Sequence, residues 1–195
     1  MAHQEDHRIT DAGTLKALAH PLRIRLYRAL YIARTATASQ LADQVDEAVS
    51  LVSYHLRKLA EHGLIEEAEP QRADGRERWW RPASDGVTVR HEDMKDAPEK
   101  LAAQGALTRT LLEQRAGLYR RYLDEAESWS DAWRSAGFDS EYLTRLTAAE
   151  LADLRDELDG VIRKYKDRGR AAEEAGDTRE RENVAVHLYG FPFRT

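Results

Sequence analysis

Apolar residues recur at helical spacing through the first part of the chain. Between Asp11 and Ala33 they stand at Leu15, Leu18, Leu22, Leu26, Ala29 and Leu30. This spacing puts them on one side of a helix, where they can be buried together. Pro21 interrupts the pattern, and proline is tolerated in the first turn of a helix but not in its interior. We therefore predict a short helix that ends near His20 and a second helix that begins at Pro21.

A further pair of helices is predicted between residues 37 and 65. Thr37 and Gln40 have the spacing of a capping box, in which two side chains satisfy backbone N–H groups at a helix start. The next helix has an apolar stripe formed by Val49, Val52, Leu56 and Leu59. Gly63 stands where a glycine commonly ends a helix. Because only residues 46–48 separate the two helices, the pattern predicts a helix-turn-helix.

A β-hairpin is predicted directly after the second of these helices. Residues 64–68 have the pattern of a short strand, Asp74-Gly75 supplies turn residues, and residues 76–82 form the return strand. A helix-turn-helix followed by a hairpin is the element order of a winged helix. Because successive side chains of a strand point to opposite faces, we expect Trp80 to pack under the hairpin, against the helix-turn-helix core. Trp79 should then face outward, where the long C-terminal helix or a dimer mate could cover it.

The second half of the chain has a different pattern. Residues 83–98 are polar with scattered Gly and Pro, and we predict a linker there. Alternating steps of three and four between apolar and aromatic residues predict a long helix from Lys100 to about Trp133. Residues 184–193 alternate like a strand, and we expect them to pair with residues 140–145.

These elements define a fold that is mainly α, in the α+β class. A second capping box, Thr147 with Glu150, opens one more helix in the C-terminal region. The predicted organisation is a winged helix-turn-helix domain over residues 11–82, the linker, and a helical dimerisation or effector domain with two short strands over residues 99–195.

Charge is unevenly distributed along the 195 residues. The chain has 30 Lys and Arg against 35 Asp and Glu, a net charge of −5. Residues 1–90 contain 13 of each sign, so the remaining 17 basic and 22 acidic residues carry the whole excess. A polyanionic partner would therefore have to meet a local basic patch in the first half.

Several classes of function are disfavoured by what the sequence contains. The chain has no cysteine, which excludes disulfides, thiolate metal ligands and a cysteine nucleophile and is typical of a cytoplasmic protein. Its seven histidines show no paired helical spacing with a carboxylate, so we expect no metal and no cofactor. No nucleotide-binding or hydrolase motif occurs, and we expect no enzymatic activity. The polar N-terminus and the absence of a long apolar run predict no signal peptide and no contact with membranes.

The polar face of the helix over residues 49–62 suggests a function. Opposite the apolar stripe lie Ser50, Tyr54, Arg57, Lys58 and Glu61. Hydroxyl groups near the start of a helix and cations further along suit the base edges and phosphates of the DNA major groove. A plain solvated surface would also carry such residues, so the adjacent turn and hairpin are what favour DNA binding.

Two segments resemble a known family. The pattern at the second helix is carried by Val52, Ser53, His55, Leu56, Leu59, Gly63, Leu64 and Ile65, and residues 19–30 match the opening helices. Together they resemble the ArsR-type winged-helix repressors, in particular an actinobacterial branch with a long C-terminal extension. The resemblance covers roughly residues 11–82. It implies a homodimeric, sequence-specific repressor whose recognition helix begins near Ser50 and whose operator is palindromic double-stranded DNA.

The sequence departs from that family in two ways. The family's founding members sense metals through cysteines, or through His and Asp on a dimer helix, and this chain lacks such sets. Asp46 replaces the common glycine of the turn, and Ala48 and Val49 replace polar residues near the start of the recognition helix.

The predicted DNA contacts come from the recognition helix and from the hairpin over residues 64–82, the wing. The full set is Ser50, Leu51, Ser53, Tyr54, His55, Arg57, Lys58, Arg72, Arg76 and Arg78. Arginines near the wing tip suit the adjacent phosphates or minor groove, and those beside the tryptophans suit cation–π contacts. Charge at a hairpin edge also blocks strand pairing, so both roles stay open.

The C-terminal aromatic seam has two possible roles. Its candidate residues are Leu112, Tyr119, Tyr122, Trp129 and Trp133. They form either the core of a dimer or a pocket for a small-molecule effector, which no sequence feature identifies. An alternative to a regulator is a winged-helix protein-interaction module without DNA binding, which the neutral balance of residues 1–90 favours.

Overall fold

The computed structural model describes residues 7–70, 77–89, 93–94, 97–177, 179 and 181–194. The chain divides into two compact units, Met1–Glu125 and Ala126–Thr195. The predicted division was at the 83–98 linker, and the helix that follows that segment belongs to the first unit. The structure confirms the α+β class, with mostly helices and two small sheets among the described residues.

Two helices open the first unit, with the break at Pro21 that the sequence predicted. Helix α1 is Ala12–Leu18 and helix α2 is Pro21–Ala33, with Pro21 in the first turn. His20 is the N-cap of α2, and its Nδ1 accepts the backbone N–H of Leu22 at 3.2 Å. The ring therefore occupies the position that Ser or Asp usually takes at a helix start.

The predicted helix-turn-helix is confirmed. Helix α3 is Ala38–Val45 and helix α4 is Val49–Glu61. The Thr37–Gln40 capping box is fully formed at the start of α3. Asp46 ends α3 in the left-handed conformation, with φ of 52° and ψ of 57°, which is the conformation that explains why a glycine is common there. Gly63 follows α4 with φ of 65°, as expected for a glycine that ends a helix.

The wing belongs to a three-stranded sheet. Strand β3 is Ile65–Ala68 and strand β4 is Trp79–Pro82, paired antiparallel as predicted. A short strand, Ala36–Thr37 (β2), pairs with the other edge of β4, which gives the order β2-β4-β3. The sequence pattern did not predict β2, because two residues are too few to show alternation. The predicted turn at Asp74-Gly75 lies outside the described residues.

The two tryptophans of β4 are both buried. Trp80 is 4% exposed and packs in the main hydrophobic core, as predicted. Trp79 is 9% exposed and lies outside that core cluster, so it is covered although it alternates with Trp80 along the strand. Its cross-strand neighbours are Thr37 and Ala68, because β4 is the central strand of the sheet. Cover by the long C-terminal helix or a dimer mate stays a prediction.

The segment predicted as a linker has structure of its own. Residues Val87–Thr88 form strand β5, which pairs in parallel with His7–Arg8 (β1). Met94 is fully buried in the core. Of the described residues of this segment, Met94 therefore belongs to the core of the first unit, and Val87 and Val89 pack against that core.

The predicted long helix is shorter than expected. Helix α5 is Pro98–Asp124 and packs against α1, with Ala103 and Leu107 buried in the core. Gln114 Nε2 donates to the carbonyl oxygen of Pro21 at 2.7 Å. The helix does not continue to Trp133, because Ser130 is the N-cap of a separate helix and its hydroxyl accepts the N–H of Trp133.

The described part of the second unit has two α-helices. After a 3-10 turn at Ala126–Ser128, helix α6 is Asp131–Ala136 and helix α7 is Ala148–Glu174. The predicted capping box at the start of α7 is confirmed. The two predicted strands of this region, residues 140–145 and 184–193, are wrong: both segments lack strand structure. Alternation alone does not make a strand when no partner supplies the ladder hydrogen bonds.

Within the described ranges, no helix combines the length and the apolar character that crossing a bilayer requires.

Candidate nucleic-acid interface

Helix α4 is fixed to the core by one face. Val52, Leu56 and Leu59 are each 0% exposed and belong to the main core. Arg25 of α2 donates to the carbonyl oxygen of Val45 and contacts Glu47 at 3.4 Å, so it ties α2 to the turn before α4. These contacts set the direction in which the outer face of α4 points.

Two residues of α4 lie elsewhere than expected. Val49 is 45% exposed, so its placement on the buried stripe is wrong: it lies in the first turn of α4, at the edge of the core. His55 was predicted to reach the DNA backbone. It is only 5% exposed, so it is too buried to make that contact. Its position three residues after Val52 turns it inward, and its ring lies 4.5 Å from the ring of His20.

The remaining predicted residues of α4 lie on its outer side. Ser50, Leu51, Tyr54 and Arg57 are exposed, whereas Ser53 and Lys58 are half-buried. Arg57 Nε donates to the carbonyl oxygen of Ser53 at 3.2 Å. The face thus combines two serine hydroxyls, a phenol and two cations along one helix.

Lys58 has partners within its own helix. Its ammonium donates to Glu61 at 2.7 Å and lies 6.0 Å from the centre of the Tyr54 ring. The hydrogen bond from Lys58 to Glu61 raises the pKa of Lys58 and lowers the pKa of Glu61. A phosphate that approaches Lys58 would therefore compete with the Glu61 carboxylate.

The wing arginines that the structure describes, Arg78 and Arg81, also form ion pairs. The guanidinium of Arg78 lies 5.6 Å from the centre of the Trp80 ring and contacts Glu67 at 3.1 Å. Arg81 contacts Glu66 at 2.8 Å. The predicted cation–π contact is thus present at Trp80. The predicted contacts Arg72 and Arg76 lie outside the described residues.

A groove separates the recognition helix from the wing. It has a volume of about 340 Å³. The residues that line it come from α3, α4 and the β4 segment: Ala38, Ser39, Val49, Ser53, Arg57, Glu77, Arg78 and Trp80. We call it the α4–β4 groove. It brings together three predicted contact residues, Ser53, Arg57 and Arg78.

Sequence reasoning missed two polar residues of this groove. Ser39 lies within the capping box, between Thr37 and Gln40 in the first turn of α3, and Glu77 precedes the strand β4. Ser39 Oγ donates to Glu77 Oε1 at 2.6 Å. The capping box located the start of α3 but gave no signal that this start faces the wing.

Two histidines, His55 at the inner edge of α4 and His20 beside it, have lowered pKa values. Desolvation and then the neighbouring charge of Arg23 lower the pKa of His20. Desolvation lowers the pKa of His55 too, followed by the proximity of His20 and Arg23, while Glu47 opposes the shift. The Nδ1 atom of His55 is buried without a hydrogen-bond partner among the described residues. Both rings are therefore kept neutral at neutral pH.

The predicted aromatic set in the C-terminal half divides between the two units. Leu112 and Tyr119 are exposed on α5, and the Tyr119 and Tyr122 rings stack with centroids 6.1 Å apart. Trp129 and Trp133 belong to the second unit, where both are half-buried. The two predicted roles of these residues, the core of a dimer or a pocket for an effector, stay predictions.

Within the ranges that the structure describes, no group of three or more histidine, aspartate or glutamate side chains could hold a metal ion.

Within residues 21–70 and 77–82, helices α2, α3 and α4 and the paired strands β3 and β4 have the architecture of a winged helix-turn-helix. Residues 18–68 match the family model described as a helix-turn-helix domain. The comparison with curated proteins gives no match.

Three solved structures have similarity to this chain at low sequence identity. A MarR family transcription regulator is 17% identical with a TM-score of 0.32, over 83% of this chain and 81% of that chain. A mutant of ZitR from Lactococcus lactis in apo form is 16% identical with a TM-score of 0.28, over 69% and 81%. Wild-type ZitR in complex with DNA is 17% identical with a TM-score of 0.26, over 69% and 73%.

Proposed function

We propose that this chain is a sequence-specific, DNA-binding transcriptional regulator of the ArsR type. In this proposal it binds a palindromic operator as a homodimer and represses transcription, with α4 in the major groove and the wing on the adjacent backbone or minor groove. It performs no catalysis. We propose that DNA is contacted by these residues that the structure describes: Ser50, Leu51, Ser53, Tyr54, Arg57, Lys58 and Arg78. Arg72 and Arg76 are proposed as further wing contacts.

One observation carries the proposal: the outer face of α4 and the wing arginine Arg78 meet at a single groove. Arg57 and Ser53 line it from α4, and Arg78 lines it from the wing. The opposite face of α4 is held in the core. A helix presented in this way fits the width of the major groove, and cations beside it suit the flanking phosphates.

The homodimer is supported by surface chemistry in addition to the family resemblance. Helix α5 leaves Leu112, Leu118, Tyr119 and Leu123 at least two-fifths exposed. A two-fold dimer would present two copies of α4 to a palindromic site, because operator symmetry mirrors protein symmetry.

The test is selection of bound duplexes by the full-length chain from a random double-stranded library at 50 mM salt. The recovered duplex is then titrated by fluorescence anisotropy over a salt series. We expect a palindromic consensus and a linear fall of log affinity with log salt, with a slope set by the number of phosphate contacts. Recovery of no enriched sequence and no binding at low salt would overturn the proposal.

A second candidate, a protein-interaction module without DNA binding, is favoured by one observation. Lys58 contacts Glu61, Arg78 contacts Glu67, and Arg81 contacts Glu66. These pairs neutralise cations that a phosphate would otherwise meet. The same titration separates the candidates, because an interaction module would bind neither the selected duplex nor bulk duplex DNA at 50 mM salt.

A further inference from the structure

The α4–β4 groove has the chemistry of an anion site. Three different elements contribute its polar side chains: Ser39 from α3, Ser53 and Arg57 from α4, and Arg78 from the wing. Hydroxyl and guanidinium groups are donors that a phosphodiester oxygen accepts well. Glu77 is the one carboxylate among the described residues that line the groove.

That carboxylate is already bound to one of the donors. Glu77 Oε1 accepts the Ser39 hydroxyl at 2.6 Å, across 38 positions of sequence. The distance is typical of a charge-assisted O–H···O⁻ hydrogen bond. In the free protein, an internal anion therefore occupies a donor that a phosphate could use.

We propose that the groove binds one phosphate of the DNA backbone and that Glu77 acts as an internal competitor for it. The phosphate takes the Ser39 hydroxyl from Glu77 and is held by Arg57 and Arg78. This inference rests on the proposed function. It adds a specific phosphate site and a residue that weakens binding at that site.

The competition has two physical parts. Binding exchanges the Ser39–Glu77 hydrogen bond for a Ser39–phosphate hydrogen bond, so the net gain from Ser39 is small. The displaced carboxylate also stays beside the phosphate, and like charges held close together oppose binding. Both parts reduce affinity for any duplex equally, so a duplex binds well only when contacts elsewhere offset the loss.

The experiment compares wild type, Glu77→Gln, Ser39→Ala and the double variant. Duplex selection is performed with both wild type and Glu77→Gln, and affinities for the selected duplex are measured by anisotropy at 50 and 150 mM salt. Because glutamine removes the charge and competes less for the hydroxyl, we expect Glu77→Gln to bind about three- to tenfold more tightly. In the Ser39→Ala background, Glu77→Gln should raise log affinity by less than half as much as it does in the wild-type background.

The matched control is Glu113→Gln, which removes one negative charge from an exposed position of α5, a helix that supplies none of the described residues lining the groove. It should change affinity by less than about twofold, since salt screens an exposed charge that does not line the groove. Thermal unfolding of each variant checks that it is folded.

Each outcome decides between the two proposals. If wild type binds DNA and Glu77→Gln binds equally or more weakly, the inference fails while the proposed function stands. If the gain is the same with and without the Ser39 hydroxyl, or the same in Glu113→Gln, the inference also fails, because the effect is then one of general charge. If neither wild type nor Glu77→Gln binds any duplex at 50 mM salt, both proposals fail.

Discussion

The imidazole ring of His20 lies 4.5 Å from that of His55, between ring centroids, with the two planes tilted by 42°. The first ring caps α2 and the second lies on the inner edge of α4. Arg23 is the nearby cation and Glu47 the nearby anion in their electrostatic surroundings. A proton added to either ring would meet a second ring and a guanidinium in a partly buried site.

This pair predicts that stability falls in mild acid. The pKa of each histidine is lowered in the folded state, from an unfolded value of 6.5. Below that value the unfolded chain binds more protons than the folded chain, so the free energy of unfolding decreases as pH falls from 7 through 6.5 toward the lowered pKa. Urea unfolding at pH 7.5, 6.5 and 5.5 measures this.

The double variant His20→Asn, His55→Gln is the control for the titration. Asparagine keeps an N-cap acceptor, and neither replacement titrates in this range. The variant should be less sensitive to pH between 7.5 and 5.5 than wild type. An unchanged pH dependence would show that other groups cause the acid destabilisation.

The adjacent tryptophans of β4 should differ in their contribution to stability. Trp80 belongs to the main core cluster and Trp79 does not. Trp80→Ala should therefore lower the free energy of unfolding by about 3–5 kcal/mol, the usual cost of emptying a large aromatic site. Trp79→Ala should cost less. Urea unfolding monitored by circular dichroism gives both values, and a larger loss at Trp79 would contradict this ranking.

The left-handed backbone conformation of Asp46 predicts that two substitutions at this position differ in their effect on stability. Its φ of 52° suits glycine, tolerates aspartate and is costly for a β-branched residue. We expect Asp46→Gly to leave stability within about 1 kcal/mol of wild type and Asp46→Val to lower it by about 1–2 kcal/mol. Thermal and urea unfolding test this, and an equal effect of both substitutions would exclude the backbone explanation.

Arg57 and Lys58 should affect DNA binding without affecting the fold. Replacement of both by alanine should weaken binding to every duplex, and the slope of log affinity against log salt should become shallower by about one for each phosphate that the variant no longer binds. The matched control is Lys16→Ala with Arg109→Ala, two exposed cations on α1 and α5. Wild-type affinity in the α4 variant would mean that this face does not meet DNA.

The exposed apolar residues of α5 predict the position of the dimer contact. Leu112 is 44% exposed on α5, and Leu154 is 41% exposed on α7. If α5 forms the dimer, Leu112→Glu should give a monomer in analytical ultracentrifugation, because a charge is buried without a partner. Leu154→Glu serves as the comparison and should remain dimeric. The reverse result would move the interface to α7.

Local signals predicted the first unit well. Pro21, the Thr37–Gln40 box and Gly63 each act through their own backbone or near neighbours, so a sequence window is enough to locate the helix ends. The recognition face followed from these ends and the helical period, with His55 misplaced because it falls at the boundary between the two faces.

The features that sequence missed depend on contacts between distant segments. Strand β2 exists because Trp79 and Trp80 pair with it from more than 40 positions away. The Ser39–Glu77 contact likewise needs the start of α3 beside the wing. In the second unit, residues 184–193 alternate like a strand, yet strand structure requires a partner that alternation does not specify.

Thr37 shows that the wing and the helix-turn-helix are not separable parts. It is the N-cap of α3, the second residue of β2 and the backbone partner of Trp79, and it is 1% exposed. A wing transplanted from another protein would therefore have to match the first residues of this chain's α3 as well as its own strands. Exchange of wings between regulators of this architecture, by recombination or by design, should succeed only when the segment from Ala36 to Gln40 is carried along with residues 65–82.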